Sequence, residues 1–258
     1  MFTQKEDSSS EKNTSSPKQE WFVEWFDSPY YHILYDHRDY DEARVFIQNL
    51  SKFLQLNANA RVLDLACGNG RHALALHQQG LDVTGIDLSE NNIAQAQKLS
   101  RDGLQFAVHD MRALYKAHYF NYIFNLFTSF GYFDTLADHQ KAIEAMAEGL
   151  QPNGYLVMDY LNISVVIQHL KSAEKIEKQG INFTISRQQK NGYIIKNIDI
   201  ETATHTLHFQ ERVRAFTQQD FAKMLENFFT IEHYFGNYQL QNFVENTSPR
   251  LILVAKRK

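Results

Sequence analysis

The chain has 258 residues, 43% hydrophobic, 22% charged and 13% aromatic, with a formal net charge of −4. That length supplies a large domain with a full core, and the aromatic content excludes a disordered chain. The slight acidity speaks against a general grip on nucleic acid, the lone Cys67 excludes a disulfide framework or a multi-cysteine zinc site and fits a reducing compartment, and no apolar run approaches the roughly 20 residues of a membrane span.

Residues 1–20 hold Ser, Lys, Glu and Gln with almost nothing to bury. They read as a disordered tail, unlike a signal or transit peptide, so a cytoplasmic location is expected. Trp21, Phe22, Trp25 and Phe26 fall on one side of a short helix that Pro29 interrupts, and a Tyr-rich stretch, 30–35, follows. Ala43, Phe46, Ile47, Leu50 and Leu54 then recur at helical spacing. Residues 21–58 are expected to form a helical cap, its aromatics packing the cap to the body.

From Arg61 short apolar runs alternate with helical stretches. Strands are predicted at 61–66, 81–87, 104–109, 119–127 and 155–160. Ser89 and Thr135 serve as helix starts, and Pro152 and Gly154 break the helix before the fifth strand. Repeated βα units of this length specify an α/β fold with a parallel sheet covered on both faces. Residues 163–216 break the rhythm. Three segments alternate like strands, and Asn191-Gly192 between two of them is a type I′ hairpin signal, so a three-stranded antiparallel β insertion, a lid, is expected. Phe221, Met224, Leu225 and Phe228 return to helical spacing, before strands near 229–235 and 251–255. Residues 59–162 and 217–258 thus make the body.

The most informative stretch is VLDLACGNGRHALALHQQGLDVTGIDLSENN. Asp64 ends the first strand, Gly68 and Gly70 occupy the turn, and Asp87 ends the second strand. Glycines permit the sharp turn and let a ligand lie against the backbone. Exposed N–H groups at the following helix start favour a carboxylate or phosphate. An acid about 20 residues on accepts from both hydroxyls of a ribose. A nucleoside-bearing ligand is implied. A nicotinamide site would want a third glycine, where this chain has Arg71-His72-Ala73.

The pattern Asp-Leu-Ala-Cys-Gly-Asn-Gly instead resembles motif I of the class I S-adenosylmethionine-dependent methyltransferases. The resemblance continues through Gly85-Ile86-Asp87-Leu88-Ser89, His109-Asp110-Met111-Arg112 and Gly149-Leu150-Gln151-Pro152-Asn153-Gly154-Tyr155, and so covers most of residues 59–162. It implies a Rossmann-like, seven-stranded, mostly parallel sheet with an antiparallel last strand. It implies S-adenosylmethionine as cofactor and S-adenosylhomocysteine as product. Asp64 and the backbone of Ala66, Cys67, Gly68 and Gly70 would hold the methionine end. Asp87 would bind the ribose and Leu88 pack on the adenine. Asp110 and Met111 would take the adenine amino group and ring, and Asn125 would begin a segment, to Phe130, facing cofactor or acceptor. The texture is most similar to bacterial small-molecule methyltransferases with an N-terminal helical cap and a β insertion.

Each residue also has a plainer reading. Asp87 and Asp110 serve equally as helix-capping acids, Cys67 as a small turn residue, and the eleven histidines show no metal spacing. No metal site is expected. Asn125-Leu126-Phe127-Thr128 differs from the Asn-Pro-Pro-Tyr type that methylates adenine or glutamine amino groups. The absence of Pro-Cys speaks against cytosine C5 chemistry. For a metal-assisted catechol site, Asp159 and Asn162 leave a small opening. Tyr31, Tyr35 and Arg38 of the cap are placed over the cofactor, and Arg250 is placed to meet an anionic substrate group; Tyr31, Tyr35 and Arg250 are the catalytic candidates, the plainer readings being a surface ion pair for Arg250 and simple packing for Tyr31. The resulting expectation is methyl transfer to an N or O atom of a small molecule by a monomer or homodimer, with no membrane or nucleic-acid partner. Two alternatives stand beside it: a tRNA or protein methyltransferase, and a non-catalytic S-adenosylmethionine-binding module.

Overall fold

A computed structural model describes residues 21–35 and 40–258; the tail expected over 1–20, and Arg38, lie outside the described residues. Two short helices come first, α1 (Trp21–Phe26) and α2 (Pro29–Leu34). Pro29 opens α2 where the sequence suggested only a break. Its missing N–H is harmless at the first helical position, and the Ser28 side chain accepts from Tyr30 N to cap the helix. Helix α3 (Tyr40–Leu54) follows and turns Phe46, Ile47 and Leu50 inward.

The βα units run β1 (Arg61–Leu65), α4 (Arg71–His77), β2 (Asp82–Asp87), α5 (Glu90–Ala96), β3 (Leu104–Val108), β4 (Phe120–Asn125), α6 (Leu136–Gly149) and β5 (Leu150–Leu161). Ser89 and Thr135 cap α5 and α6, each accepting a backbone N–H three residues on. The fifth strand begins five residues before the predicted one. Leu150 already pairs with Phe120, and Pro152-Asn153 bulge outward before the ladder resumes at Tyr155 opposite Tyr122.

A short helix, α7 (Ile163–Gln168), leads into β6 (Ala173–Lys178), β7 (Ile181–Lys190), β8 (Tyr193–Glu201) and β9 (Thr206–Arg214). These form an antiparallel sheet of four strands, one more than expected. The extra strand is β6, whose AEKIEK sequence has one large apolar residue and strong helix formers; it lies at the sheet edge, where charge is favoured. Asn191 and Gly192 take φ of 52° and 76°, the positive values a type I′ turn requires. Helix α8 (Gln218–Leu225), β10 (Phe229–Phe235) and β11 (Arg250–Arg257) complete the chain.

The main sheet has the order β10-β11-β5-β4-β1-β2-β3, with β11 antiparallel between β5 and β10. The seven-stranded expectation holds. One face packs Ile143, Met146, Phe221 and Leu225 of α6 and α8, and the other packs Phe46, Ile47, Leu50, Ala73 and Leu76 of α3 and α4. The helices expected as one cap therefore part company. Helix α3 belongs to the main core, whereas α1 and α2 sit against the insertion: Trp25 and Leu34 join Phe183, Ile185, Ile198 and Ile200. Phe22, on the same α1, reaches back into the main core.

Candidate functional site

Strand order reverses between β1 and β4, and ligands in open α/β sheets bind at such a crevice, outside the carboxyl ends of the strands. A cavity of about 390 Å³ lies there. Ala66–Asn69 after β1, Asp87, Leu88 and Asn92 at β2 and α5, and His109–Met111 after β3 form one side. The other is mostly aromatic: Phe22 and Phe26 of α1, Tyr31 and Tyr35, and Phe127, Tyr132 and Phe133 after β4. Glu211 of β9 reaches the wall from the insertion.

The turn after β1 is built on positive φ, with Ala66 at 60°, Gly68 at 55° and Gly70 at 85°. The two glycines do different work. A Cβ on Gly68 would meet no protein atom within 4 Å, whereas one on Gly70 would come within 2.8 Å of the Phe106 ring. Gly68 faces the cavity; Gly70 stands behind the wall and lets α4 pack closely. Asp87 binds the turn to the next unit, its Oδ2 accepting from Gly68 N and its Oδ1 from Ser89 N, both at 2.9 Å. Burial nevertheless raises its pKa, against those hydrogen bonds.

Asp64 is 1% exposed and lies behind the cavity wall. Burial pushes its carboxyl up to about 7, the Ala73 N–H opposing and Asp87 reinforcing the rise. Its Oδ2 has no hydrogen-bond partner, nor does the buried Oδ1 of Asn92, on the wall beside Asp87. Buried polar atoms left unmatched are costly and ask for a ligand. Cys67 is buried with its thiol pKa pushed well up by burial and then by Asp64 and Asp87, which makes it a turn residue and a poor nucleophile. Asp110 is held low by Arg112 despite partial burial: its Oδ1 accepts from Arg112 N, and the Arg112 guanidinium pairs with it at 2.6 Å. Both Asp87 and Asp110 thus perform the local turn-capping of their plainer reading while presenting to the cavity.

Two candidates are placed differently from their sequence reading. Asn125 is 1% exposed, absent from the cavity wall, and donates to Leu65 O at 3.0 Å, tying β4 to β1. Arg250 does not line the cavity; its Nε meets Asp159 Oδ1 at 2.7 Å and its Nη2 donates to Thr128 Oγ1 at 2.8 Å. Burial alone would lower its pKa, but Asp159 and Tyr238 raise it, so it is an internal cation with its partners in place. The sequence placed Arg250 on the right edge; Asp159, diagonally across from it on β5, where the register sets Arg250 opposite Leu161 and Asp159 opposite Ile252, takes it up. Asn162, the other residue of the suggested catechol opening, donates its Nδ2 to Glu245 O and Ser248 O at 2.7 Å each. Among the described residues no group of three or more His, Cys, Asp or Glu side chains is arranged to hold a metal.

Tyr31 and Tyr35 do line the cavity. Tyr35 donates to Glu211 Oε1 at 2.7 Å, as does Trp25 Nε1, and Lys196 Nζ donates to Tyr35 Oη and lies 3.6 Å from Glu211 Oε2. Glu211 escaped the sequence reading, although it carried a signal: it follows Leu207 and Phe209 at period two, an acid at an inward-facing position. For Phe22 and Phe26 the sequence favoured packing of the cap to the body over a ligand box, and they do both: Phe22 joins the main core, Phe26 packs against it, and both border the cavity.

The methyltransferase-domain family model matches residues 56–228. YqeM of Bacillus subtilis is 32% identical over 132 residues, covering 50% of this chain and 51% of that protein. The dTDP-3-amino-3,4,6-trideoxy-alpha-D-glucopyranose N,N-dimethyltransferase of Streptomyces venezuelae is 32% identical over 100 residues, 38% of this chain and 41% of that protein. The chain thus spans about half the length of the curated relatives it matches. Among solved structures, an S-adenosylmethionine-dependent methyltransferase from Clostridium acetobutylicum superimposes with a TM-score of 0.74 at 18% identity, covering 88% of this chain and 95% of that one. An amino pentose methyltransferase from Micromonospora echinaspora gives 0.66 at 19% identity, covering 90% and 98%. Matched across more than half its length, the chain belongs to the methyltransferase-domain family and has the class I, S-adenosylmethionine-dependent methyltransferase fold.

Proposed function

We propose that the protein is an S-adenosylmethionine-dependent methyltransferase that moves a methyl group to an N or O atom of a small molecule. The observation that carries this reading is the turn at Gly68, open to the cavity and flanked by Asp64 and Asp87. The residues on the wall fit the cofactor: Asp87 with the unpartnered Asn92 Oδ1 suits ribose hydroxyls, and Asp64, buried behind the Gly68 turn, backs the methionine end. Leu88 and Met111 offer apolar contact to a base and Asp110 an acceptor for its amino group. When bound, S-adenosylmethionine supplies an electrophilic methyl on a sulfonium and leaves as the neutral thioether.

The chain's own residues then have to align an acceptor with that methyl and keep water away, because in-line displacement gains most from orientation. The aromatic side of the cavity suits this. Phe26, Tyr31, Tyr35 and Tyr132 pack edge to face or tilted against one another, which gives a closely packed, mostly aromatic wall. Tyr31 and Tyr35 remain the candidates for contacting the acceptor. A wall shared by α1, α2, the segment after β4 and β9 leaves a recess suited to a compact molecule rather than a polymer, and the N,N-dimethyltransferase relative acts, by its name, on an amino sugar.

The test is transfer of labelled methyl from S-adenosylmethionine to a panel of small amines and hydroxyl compounds, with tRNA and a mixed protein substrate alongside. Label in a small-molecule product, with S-adenosylhomocysteine formed in equal amount, is the expected result. Label only in tRNA or protein would refute the small-molecule reading, and tight cofactor binding without transfer to any class would favour a binding module.

A further inference from the structure

Phe127 and Thr128, which line the cavity after β4, both take positive φ, 62° and 59°. Two consecutive non-glycine residues in the left-handed region are strained, the second a β-branched one, and persist only where their surroundings over-determine them. Prominent in those surroundings are one buried carboxylate and its cation. Asp159, 1% exposed at the end of β5, accepts from Phe127 N through Oδ2 at 2.9 Å, and its backbone oxygen accepts from Thr128 N at 2.9 Å. Tyr238 donates to the same Oδ2 at 3.2 Å. Arg250 binds Oδ1 and, through Nη2, the Thr128 hydroxyl, while its Cζ lies 5.8 Å from the centroid of the Phe127 ring. The Arg71 guanidinium, on the cavity wall beside the Gly68 turn, is 5.0 Å from that same ring.

We propose that Asp159 and Arg250 are positioning residues for methyl transfer: together they hold Phe127 and Thr128 in the strained conformation that shapes the cavity between the Gly68 turn and the aromatic wall. Every polar group needed to fix two backbone N–H groups and one hydroxyl is supplied by this pair, and neither residue touches the cavity itself. The inference rests on the proposed function for the word transfer, but the holding of the segment is a separate, measurable matter.

The experiment uses the full chain with Arg250→Lys, which keeps the charge and loses the two-pronged geometry, and Asp159→Asn, which keeps the shape and loses the ion pair. Amide hydrogen exchange is followed residue by residue, S-adenosylhomocysteine binding by calorimetry, and folding by a thermal melt. Exchange at Phe127 and Thr128 is expected to rise by about tenfold or more while β1 and β2 stay protected, and S-adenosylhomocysteine affinity to fall by about tenfold. A purely structural role would raise exchange throughout or leave affinity alone. If Asp159→Asn fails to fold, Arg250→Lys carries the test. Unchanged exchange and affinity in a folded Arg250→Lys protein would overturn the positioning role. A folded wild type that binds no S-adenosylhomocysteine would refute the proposed function, whatever the exchange at Phe127 and Thr128.

Discussion

Two glycines two residues apart make opposite demands, and substitution separates them. Alanine at either position bears the left-handed backbone cost of about 1–2 kcal/mol. At Gly70 the new Cβ also runs into Phe106 and adds about 1–3 kcal/mol of overpacking. Gly70→Ala is therefore expected to lower the unfolding free energy clearly more than Gly68→Ala, as read from urea melts. Gly68→Ala is expected to lose more S-adenosylhomocysteine affinity per unit of stability lost, because its methyl occupies cavity space. Asp64 supplies a pH signature. Its folded pKa of about 7 lies above the ordinary 3.8, so the folded state binds more protons than the unfolded state between those values. Its contribution is most favourable below about pH 4 and is lost as pH rises through about 7, a change on the order of a few kcal/mol. Asp64→Asn should flatten stability against pH across that window. A variant whose melts still fall with the wild-type slope would show that another group titrates there. The local signal in D-x-A-x-G-x-G singles out Asp64, Gly68 and Gly70 as candidates, and Asp87 follows from its place at the end of the second strand. It was not enough to tell a glycine that faces a ligand from one that faces Phe106, because the difference is made by β3, some 36 positions away in sequence.

At the scale of elements, the legible parts were those written in local chemistry: the caps at Ser89 and Thr135, the Asn191-Gly192 turn, and the period-two alternation of β8. The β6 edge strand was not legible, because Ala, Glu and Lys prefer helix and only pairing with β7 makes AEKIEK extended. The start of β5 was hidden for a related reason, since Pro152-Asn153 mark a bulge inside a strand as well as they mark its beginning. Arg250 could be placed on the correct edge of the sheet but not given its partner, which depends on the register of β11 against β5. The junction between α1, α2 and the insertion converges on Glu211, which receives Trp25 Nε1 and Tyr35 Oη. Glu211→Ala removes the acceptor of Trp25 Nε1 and Tyr35 Oη and the ion pair with Lys196, and is expected to cost about 1–3 kcal/mol in a urea melt. Tyr35 should also become more accessible to iodination. A stability change within about 0.5 kcal/mol of zero would show that the aromatic packing of Trp25 against Phe209 holds the junction without the acid.

The whole molecule is organised so that one cavity is bordered by three separately built pieces: the carboxyl ends of the main sheet, the helices α1 and α2, and the insertion. Helix α1 connects them, with Phe22 in the main core and Trp25 in the insertion core. Asp27, at its end, accepts from Ser89 Oγ and from the Asn91 side chain, fastening the helix pair to the start of α5 beside Asp87. No helix among the described residues is long and apolar enough to cross a membrane. Everything in this arrangement turns on what the Gly68 turn receives, and a calorimetric titration of the folded wild type and Asp87→Ala with S-adenosylmethionine and S-adenosylhomocysteine tests that most directly. Micromolar binding, weakened by about 1 kcal/mol or more in Asp87→Ala, is the predicted result; a folded wild type that binds neither compound would contradict the account.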